Sequence, residues 1–149
     1  MTKDAKKAIS AKIARLFFEA IPPYVHRMRA DVKQAAPETL SFSHFRVLSC
    51  VNRDVRTVSL IADQLGVSQP AMTKMVNGLV ERGLIKKRPD QIDKRQILLF
   101  LTASGESLYQ KVISKAESSL AHSLKNISPS NLKVLEEALG NLNQLKNDF

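Results

Sequence analysis

The chain is poor in aromatic residues and has no tryptophan and a single cysteine. Aromatic residues make up 5% of its 149 positions. A single cysteine excludes an intramolecular disulfide framework, so we expect a reducing cytoplasm. No apolar run approaches the roughly 20 residues that a membrane-spanning helix needs. The N-terminus has no apolar core followed by a cleavage site, so we predict neither a signal peptide nor a membrane partner.

Motifs for catalysis and metal binding are also scarce. The five glycines form no phosphate-binding loop, and no Ser, His and Asp set suggests nucleophilic catalysis. His26, His44 and His122 fall in three different predicted helices and match no zinc-binding spacing. A metal site formed by His44 with a carboxylate from elsewhere is the alternative. We predict that the protein is not an enzyme and has no cofactor and no metal.

Positive charge is what the chain has in excess. There are 23 Lys and Arg residues against 14 Asp and Glu residues, for a net charge of +9. This balance favours a polyanionic partner, either nucleic acid or an anionic membrane surface. The length predicts one domain, and the 44% of hydrophobic residues can form a small core.

The segment 60–79 has the pattern of a helix-turn-helix. Ile61 and Leu65 lie one helical turn apart, and Ala62 is small enough for two helices to cross there. Gly66 can adopt a positive φ and end the first helix. The residues that we expect to point inward are Ile61, Leu65, Val67, Met72 and Met75.

The second helix of this pair has the features of a recognition helix. Ser68 is a good N-cap, and Pro70 is tolerated in the first turn. The outward side chains are small or amide-bearing, with one cation, and such side chains suit base edges and phosphates. The predicted DNA contacts are Ser68, Gln69, Ala71, Thr73, Lys74 and Asn77. The alternative is a hairpin of core residues with a solvated outer face.

A β-hairpin with a basic tip follows this helix, and it predicts a wing. Between Ser68 and Leu101 there are seven cations and three acids. We expect Arg95 to reach a minor groove or its phosphates. We expect Asp93 to hold Arg95 or another cation in one rotamer. The predicted wing contacts are Lys87, Arg88, Asp93, Lys94 and Arg95; the alternative is an exposed hairpin whose ion pairs contribute little.

Helical patterns occupy both flanks of this region. Residues 5–35 predict a long helix, with a kink or short break near Ile21 because Pro22 and Pro23 follow. Ser41 is expected to N-cap a helix that runs to about residue 51, and Thr57 or Ser59 to cap the next one.

The C-terminal part predicts two more helices. Thr102 can cap a long helix that ends near residue 126, and Ser128 with Pro129 begins the last one. An apolar stripe on that last helix has little core left to cover within one subunit, so a dimer partner is its simplest cover. The stripe contains Leu132, Leu135, Leu139 and Leu142.

These elements together resemble the winged-helix signature of the MarR family of bacterial transcriptional regulators. The family pattern is a Gly, a Leu or Trp and an Ile or Val, then D-x-R, then L-T-x-x-G. This chain has Gly83-Leu84-Ile85, Asp93-Lys94-Arg95 and Leu101-Thr102-Ala103-Ser104-Gly105 at the matching positions, without a gap. It departs from the family at Gln91-Ile92, where Asp-Pro is often found, and at Lys87, where arginine is frequent.

The resemblance implies a mainly α fold with a small β wing. About six helices and a two- or three-stranded antiparallel sheet would form one domain over residues 1–149. Residues 37–102 would form the winged-helix DNA-binding region, and residues 1–36 and 103–149 the helical dimerisation region. A very short strand near Thr57-Val58 would belong to the same sheet.

The resemblance also implies function and partners. It implies a homodimeric repressor on double-stranded DNA, with half-sites roughly 10 bp apart in a near-palindromic operator and modulation by a small ligand. The implied dimer residues of the first helix are Ile9, Ile13, Leu16 and Phe17, with intramolecular packing as the alternative. The candidate pocket residues are Tyr24, Met28, Phe45 and Tyr109, with core packing as the alternative.

Other functions remain open at this stage. Cys50 could sense peroxides, as in some members of the family, or be a buried small hydrophobe. The charge alone is also compatible with a non-specific architectural DNA-binding protein. A thiol peroxidase or a winged helix used only for protein contacts are further alternatives.

Overall fold

The computed structural model describes residues 2–144. The elements are α1 (Lys3–Ala35), α2 (Phe42–Asn52), α3 (Val58–Leu65), α4 (Gln69–Glu81), β1 (Ile85–Pro89), β2 (Ile97–Leu101), α5 (Ala103–Ser123) and α6 (Pro129–Gln144). The mainly α architecture with a small β wing is confirmed. Residues up to Glu117 form one compact unit, and residues from Ser118 form a second. The last five residues of the predicted 103–149 dimerisation region lie outside the described residues.

Helices α2, α3 and α4 begin at the N-caps that the sequence indicates, whereas α5 ends at Ser123, a few residues before the predicted end near residue 126. Ser41, Thr57 and Ser68 are N-caps whose hydroxyl groups accept a hydrogen bond from the N–H three residues on. Gly66, at the end of α3, has a φ of 67°, and Gly83, just after α4, has the same value. A left-handed residue at this position lets the chain reverse direction after a helix. These caps therefore fix the limits of α3 and α4.

The core of the first unit lies under α2, α3, α4 and the sheet. Its largest fully buried side chains include Leu48, Ile61, Met72, Leu79, Ile85 and Leu99. Ala62 is buried, as expected where α3 and α4 pack together, and Leu65 and Met75 are half-buried. The expectation for Val67 is wrong, because this side chain is 38% exposed. Its backbone N–H bonds to the Ala62 carbonyl oxygen, which places Val67 at the outer corner of the turn.

Helix α1 runs without a break through Pro22 and Pro23, so no break occurs near Ile21. Each proline removes one N–H donor, and the hydrogen bonds on both sides suffice to maintain the helix. Among the described residues of α1, only Asp31 and Val32 are buried. Most side chains of α1 are therefore exposed in the single chain. None of the described helices combines the length and apolar content that a bilayer-spanning segment needs.

The wing is a two-stranded antiparallel sheet. Its register pairs Ile85 with Leu101 at one end and Pro89 with Ile97 at the other. No third strand forms at Thr57-Val58 within the described residues, because Val58 already begins α3. A single hydrogen bond from the Leu99 N–H to the Arg56 carbonyl oxygen, 2.8 Å long, links this segment to the sheet instead.

The first turn of α2 is closed by a reciprocal pair of hydrogen bonds. The Ser41 hydroxyl accepts from the His44 N–H at 3.3 Å, and the Ser41 N–H donates to His44 Nδ1 at 3.2 Å. Nδ1 must be unprotonated to accept this bond. Burial lowers the pKa of His44, and the nearby Arg82 guanidinium lowers it further. The folded protein therefore favours neutral His44.

We expect the stability of the protein to depend on this histidine below neutral pH. Because the pKa of His44 is lower in the folded state, the unfolded chain takes up the proton first. The stabilising contribution is complete above about pH 6.5 and is lost as the pH falls toward the folded-state pKa. In His44→Gln the side chain can still accept the Ser41 bond but does not titrate. Urea unfolding from pH 7.5 to 5 is expected to show a shallower pH dependence for His44→Gln than for the wild type.

His26→Gln is the matched control, since His26 is exposed on α1. It should retain the pH dependence of the wild type. Equal pH slopes for the wild type and His44→Gln would show that the capping histidine is not the titrating group.

Candidate nucleic-acid interface

Helix α4 has one buried side and one open side. Met72, Val76 and Leu79 are fully buried. The residues predicted to contact DNA are all exposed: Ser68, Gln69, Ala71, Thr73, Lys74 and Asn77. A groove of about 780 Å³ runs along the open side, lined by Gln69, Pro70, Thr73, Lys74, Asn77, Gly78 and Glu81. At a rise of about 1.5 Å per residue the helix is about 20 Å long, enough to lie in a major groove about 12 Å wide.

The tip of the wing is shaped by two aspartates. Asp90 Oδ1 accepts from the Ile92 N–H at 2.9 Å, and Asp93 Oδ1 accepts from the Arg95 N–H at 3.1 Å. The Asp90 N–H also donates to the Gln96 carbonyl oxygen at 2.9 Å, which closes the loop between the strands. Short side-chain to backbone bonds of this kind are typical of Asx turns. The loop is therefore held in shape without a proline.

The predicted role of Asp93 is corrected by this geometry. Within residues 2–144, Asp93 makes no ion pair with Arg95 or with another cation. Its carboxylate binds the backbone of Arg95 and the side-chain amide of Gln96, the latter at 3.5 Å. The Asp93 carboxylate therefore sets the loop conformation, and the Arg95 guanidinium is left available.

Several cations of this region, Lys86 among them, have no ion pair and no hydrogen bond within the described residues. In that part of the chain the same holds for the side chains of Lys74, Lys94 and Arg95. All three are exposed. Cations that are not neutralised within the protein can neutralise phosphates and release their counterions. Their placement on the recognition helix and the wing tip suits a duplex.

A hydrogen bond joins the recognition helix to the wing. Lys87 Nζ donates to Asn77 Oδ1 at 2.6 Å. Lys87 pairs with the buried Leu99 across the sheet, so it lies on the inner face of the wing. Of the predicted contact residues, these two form a hydrogen bond between the recognition helix and the wing.

The opposite face of the wing carries a basic cluster that the sequence did not predict as a whole. The Arg56 guanidinium lies 4.5 Å from the centre of the Phe100 ring, and that of Arg88 lies 5.8 Å from it. Asp54 holds Arg56 through contacts of 3.1 and 2.5 Å, and Lys86 pairs with Phe100 in the sheet. Lys86 and Arg88 are two residues apart on β1, and this spacing predicts that both side chains lie on one face of the strand. Arg56 is distant in sequence and gave no such signal.

The four candidate pocket residues occupy different environments. The rings of Phe45 and Tyr109 stack with centroids 5.6 Å apart, and both residues are buried. Met28 is half-buried, and Tyr24 is 46% exposed on α1. The structure therefore brings Phe45 and Tyr109 together as a core pair, with Tyr24 on an open helix surface.

The predicted dimer residues are apolar and uncovered in the single chain. On α1, Ile9, Ile13, Leu16 and Phe17 are between 41% and 51% exposed. On α6, Leu132, Leu135, Leu139 and Leu142 are between 36% and 52% exposed. Contiguous exposed apolar residues of this kind mark interaction surfaces.

Cys50 is fully buried. Its Sγ lies 3.7 Å from Gln64 Oε1 and 3.7 Å from Arg53 Nη2. A sensing thiol needs access to its oxidant as well as a nearby cation. Burial therefore favours a structural role for this side chain. In residues 2–144 no three His, Cys, Asp or Glu residues converge to hold a metal ion, and His44 Nδ1 is bound by Ser41.

Comparison with known proteins finds similarity to one family over part of the chain. Residues 39–96 match the model described as MarR family. The chain is 25% identical to the uncharacterized HTH-type transcriptional regulator YfiV of Bacillus subtilis over 115 residues, which cover 76% of this chain and 72% of that protein.

Solved structures share the same fold. The structure of RV1404 from Mycobacterium tuberculosis has a TM-score of 0.78 and 22% identity, over 93% of this chain and 94% of that one. A MarR family protein from Bacillus stearothermophilus has a TM-score of 0.77 and 21% identity, over 93% and 95% of the two chains. The predicted winged helix-turn-helix architecture is thus confirmed.

Proposed function

We propose that this chain, which is similar to the MarR family of transcriptional regulators over residues 39–96, is a member of that family and a homodimeric repressor of a near-palindromic operator. The family consists of regulators rather than enzymes, in agreement with the prediction from sequence. One observation carries the proposal: the open side of α4 and the wing tip together expose Lys74, Lys94 and Arg95 without partners. A dimer bound over a promoter excludes polymerase, which is why repression is the expected outcome. Its place of action would be the cytoplasm.

Each subunit would place α4 in a major groove and the wing along the flanking minor groove. In the major groove, base edges or phosphates would be contacted by the exposed side of α4, which carries Ser68, Gln69, Ala71, Thr73 and Lys74. Along the minor groove, the wing would present Lys87, Arg88, Lys94 and Arg95. Asp93 would hold the backbone of the wing tip. Two-fold symmetry then requires half-sites separated by about one helical turn, roughly 10 bp.

Selection of bound duplexes from a random pool tests this function. We expect one enriched sequence with two inverted half-sites, and an affinity that falls steeply with salt. Competition with an unrelated duplex at fixed salt separates a repressor from an architectural DNA-binding protein. Equal affinity for the selected and the unrelated duplex would favour the architectural protein and contradict the proposal.

Arg95 is the wing residue whose loss should be easiest to interpret. Arg95→Ala is expected to weaken operator binding about 10- to 100-fold, because a charged hydrogen bond to DNA contributes about 1.5–3 kcal/mol. The free energy of unfolding should change by less than about 0.5 kcal/mol, since the side chain is exposed and unpaired. Filter binding and urea unfolding measure the two quantities.

Gln91→Ala in the same loop is the matched control for Arg95→Ala. Gln91 is exposed, uncharged and without a side-chain hydrogen bond within the described residues. We expect it to bind the operator like the wild type. An unchanged affinity of Arg95→Ala would remove this residue from the interface.

A small effector would act by changing the distance between the two recognition helices of the dimer. Both helices must enter their grooves at once, so such a change lowers affinity. We propose Tyr24, Met28, Phe45 and Tyr109 as the region where it binds. Tyr24 is accessible on α1, whereas the stacked rings of Phe45 and Tyr109 are buried and would have to move to admit a ligand. Repeating the pool selection in the presence of candidate small molecules would detect such an effector as a loss of the enriched sequence.

A further inference from the structure

The bond between Lys87 and Asn77 fixes the orientation of the asparagine amide. Lys87 Nζ lies 2.6 Å from Asn77 Oδ1. An ammonium group has hydrogens to donate and no lone pair to accept with, so the amide must turn its oxygen toward it. The amide nitrogen, with its two hydrogens, then points away from Lys87. The orientation of the Asn77 amide therefore follows from the donor on Lys87, and does not depend on telling the amide oxygen from the amide nitrogen by shape.

The pair is exposed and keeps its positive charge. Both side chains lie at the surface, and within residues 2–144 no carboxylate pairs with Lys87. After the bond between them is made, Asn77 retains two N–H donors and Lys87 retains two more. Of acceptors, only the second lone pair of the Asn77 oxygen remains, and it lies beside the ammonium group. The pair therefore presents donors and one positive charge to its surroundings.

Such a pair suits a phosphate better than a base. An asparagine reads adenine through two bonds, accepting from N6 and donating to N7. Lys87 uses one of the two lone pairs of the Asn77 oxygen, and its positive charge repels the amino group of adenine that would donate to the other, so this reading is disfavoured. A phosphate offers only acceptors and a negative charge, which is the complement of what the pair presents.

We propose that Asn77 and Lys87 form a clamp for one phosphate of the DNA backbone, and that Asn77 reads no base. This inference rests on the proposed function and deepens it, because it assigns a role to one residue of the recognition helix and one of the wing. The clamp joins α4 to β1, so one phosphate positions the major-groove helix and the wing at the same time. It sets the register of the protein on the duplex, while sequence is read elsewhere on α4.

The test uses Asn77→Ala and Lys87→Met in the full-length protein. The dissociation constant is measured for the selected operator and for an unrelated duplex at several salt concentrations. We expect Asn77→Ala to weaken binding to both duplexes by about tenfold, with the ratio between them unchanged. Lys87→Met should weaken both as well and reduce the slope of log K against log salt by about 1.8 per dimer, one phosphate for each subunit.

Asn77→Asp separates a donor role from a merely structural one. The aspartate can still accept from Lys87, but it offers no donor and cancels the positive charge. We expect it to weaken binding to both duplexes more than Asn77→Ala does, by about a hundredfold. Melting temperatures of the variants verify that the exposed substitutions leave the fold intact.

Lys86→Met is the matched control for the coupling between the two residues. Lys86 is the adjacent cation of β1 and lies on the other face of the strand. The effects of Asn77→Ala and Lys87→Met should be less than additive, because each breaks the same clamp, whereas those of Asn77→Ala and Lys86→Met should add.

Two results would overturn the clamp. One is a loss of discrimination at a single symmetric pair of operator positions in Asn77→Ala, which would make Asn77 a base reader. The other is unchanged binding of both duplexes by Asn77→Ala and Lys87→Met. Failure of the wild type to bind any duplex would instead refute the proposed function, and the wild-type measurement reveals it before any variant is compared.

Discussion

Replacing Gly105 with alanine is expected to lower the free energy of unfolding by about 3 kcal/mol. A Cβ at this position would overlap the Leu84 carbonyl oxygen and lie 2.9 Å from the Leu84 carbonyl carbon. Overpacking a buried site costs about 1–3 kcal/mol, and the cost is at the upper end when the neighbour is backbone. Glycine is thus required here because the Leu84 carbonyl group approaches closely, and not because of backbone conformation, since Gly105 does not have a positive φ.

The Leu84 backbone cannot move aside without breaking other bonds. Its carbonyl oxygen accepts from the Thr102 N–H at 3.1 Å, and the Thr102 hydroxyl donates to the Gly83 carbonyl oxygen at 2.5 Å. The same hydroxyl accepts from the Gly105 N–H at 3.0 Å and caps α5. The first turn of α5 is therefore held directly against the base of the wing. Displacing it would also displace β1.

Gly78→Ala is the control for Gly105→Ala. Gly78 lies in the interior of α4, and a Cβ there would meet nothing within 4 Å. Alanine should stabilise the helix by about 0.5–1 kcal/mol, since glycine is entropically costly in a helix. Urea unfolding of the two variants is expected to give shifts of opposite sign. A Gly105→Ala protein as stable as the wild type would show that the contact with Leu84 relaxes freely.

Local signals were sufficient to predict the helix-turn-helix. Ser68 and Gly66 act on the backbone within a few residues of themselves, so the pattern of residue types predicts their roles. The same holds for Ser41 and Thr102, whose hydroxyl groups cap α2 and α5. The open side of α4 follows from helical periodicity alone. These are the parts of the fold that the sequence predicted correctly, and the assignment of the open side of α4 to DNA stays a prediction.

Features that depend on distant neighbours could not be predicted in the same way. The contact of Gly105 with Leu84 and the bond of Lys87 to Asn77 join different elements, and no local pattern specifies them. The role of Asp93 was predicted incorrectly for a related reason. A carboxylate next to a cation suggests an ion pair, but the nearer backbone N–H of Arg95 competes for it in a tight turn.

The largest expected loss of function comes from separating the two subunits of the proposed dimer. We expect Leu139→Glu to convert the protein to a monomer and to weaken operator binding at least about a hundredfold. Binding by two linked half-site readers exceeds binding by one by about 10²–10⁴. Leu139 is 52% exposed in the single chain and belongs to the stripe of Leu132, Leu135 and Leu142, spaced three and four residues apart. The free-energy cost of burying an unpaired carboxylate at a symmetric interface is incurred twice, once in each subunit.

Val134→Glu controls for the charge. Val134 is 65% exposed on the same helix but lies outside the leucine stripe, so its glutamate remains in water in a dimer formed through that stripe. Phe17→Glu and Phe18→Glu provide a second, independent pair on α1, where Phe17 is 41% and Phe18 83% exposed. Sedimentation equilibrium reports the oligomeric state, and circular dichroism reports whether the helices persist. Leu139→Glu and Phe17→Glu proteins that both remain dimeric would place the interface elsewhere.

The monomer produced in this way should lose selectivity rather than all contact with DNA. Its Lys74, Lys94 and Arg95 are unchanged and remain available to phosphates, so weak binding at low salt should persist with similar strength on any duplex. The slope of log K against log salt should fall to about half, because one subunit instead of two releases counterions. A larger loss of affinity for the operator than for an unrelated duplex would then assign the specificity to the paired presentation of α4, and not to the chemistry of one recognition helix.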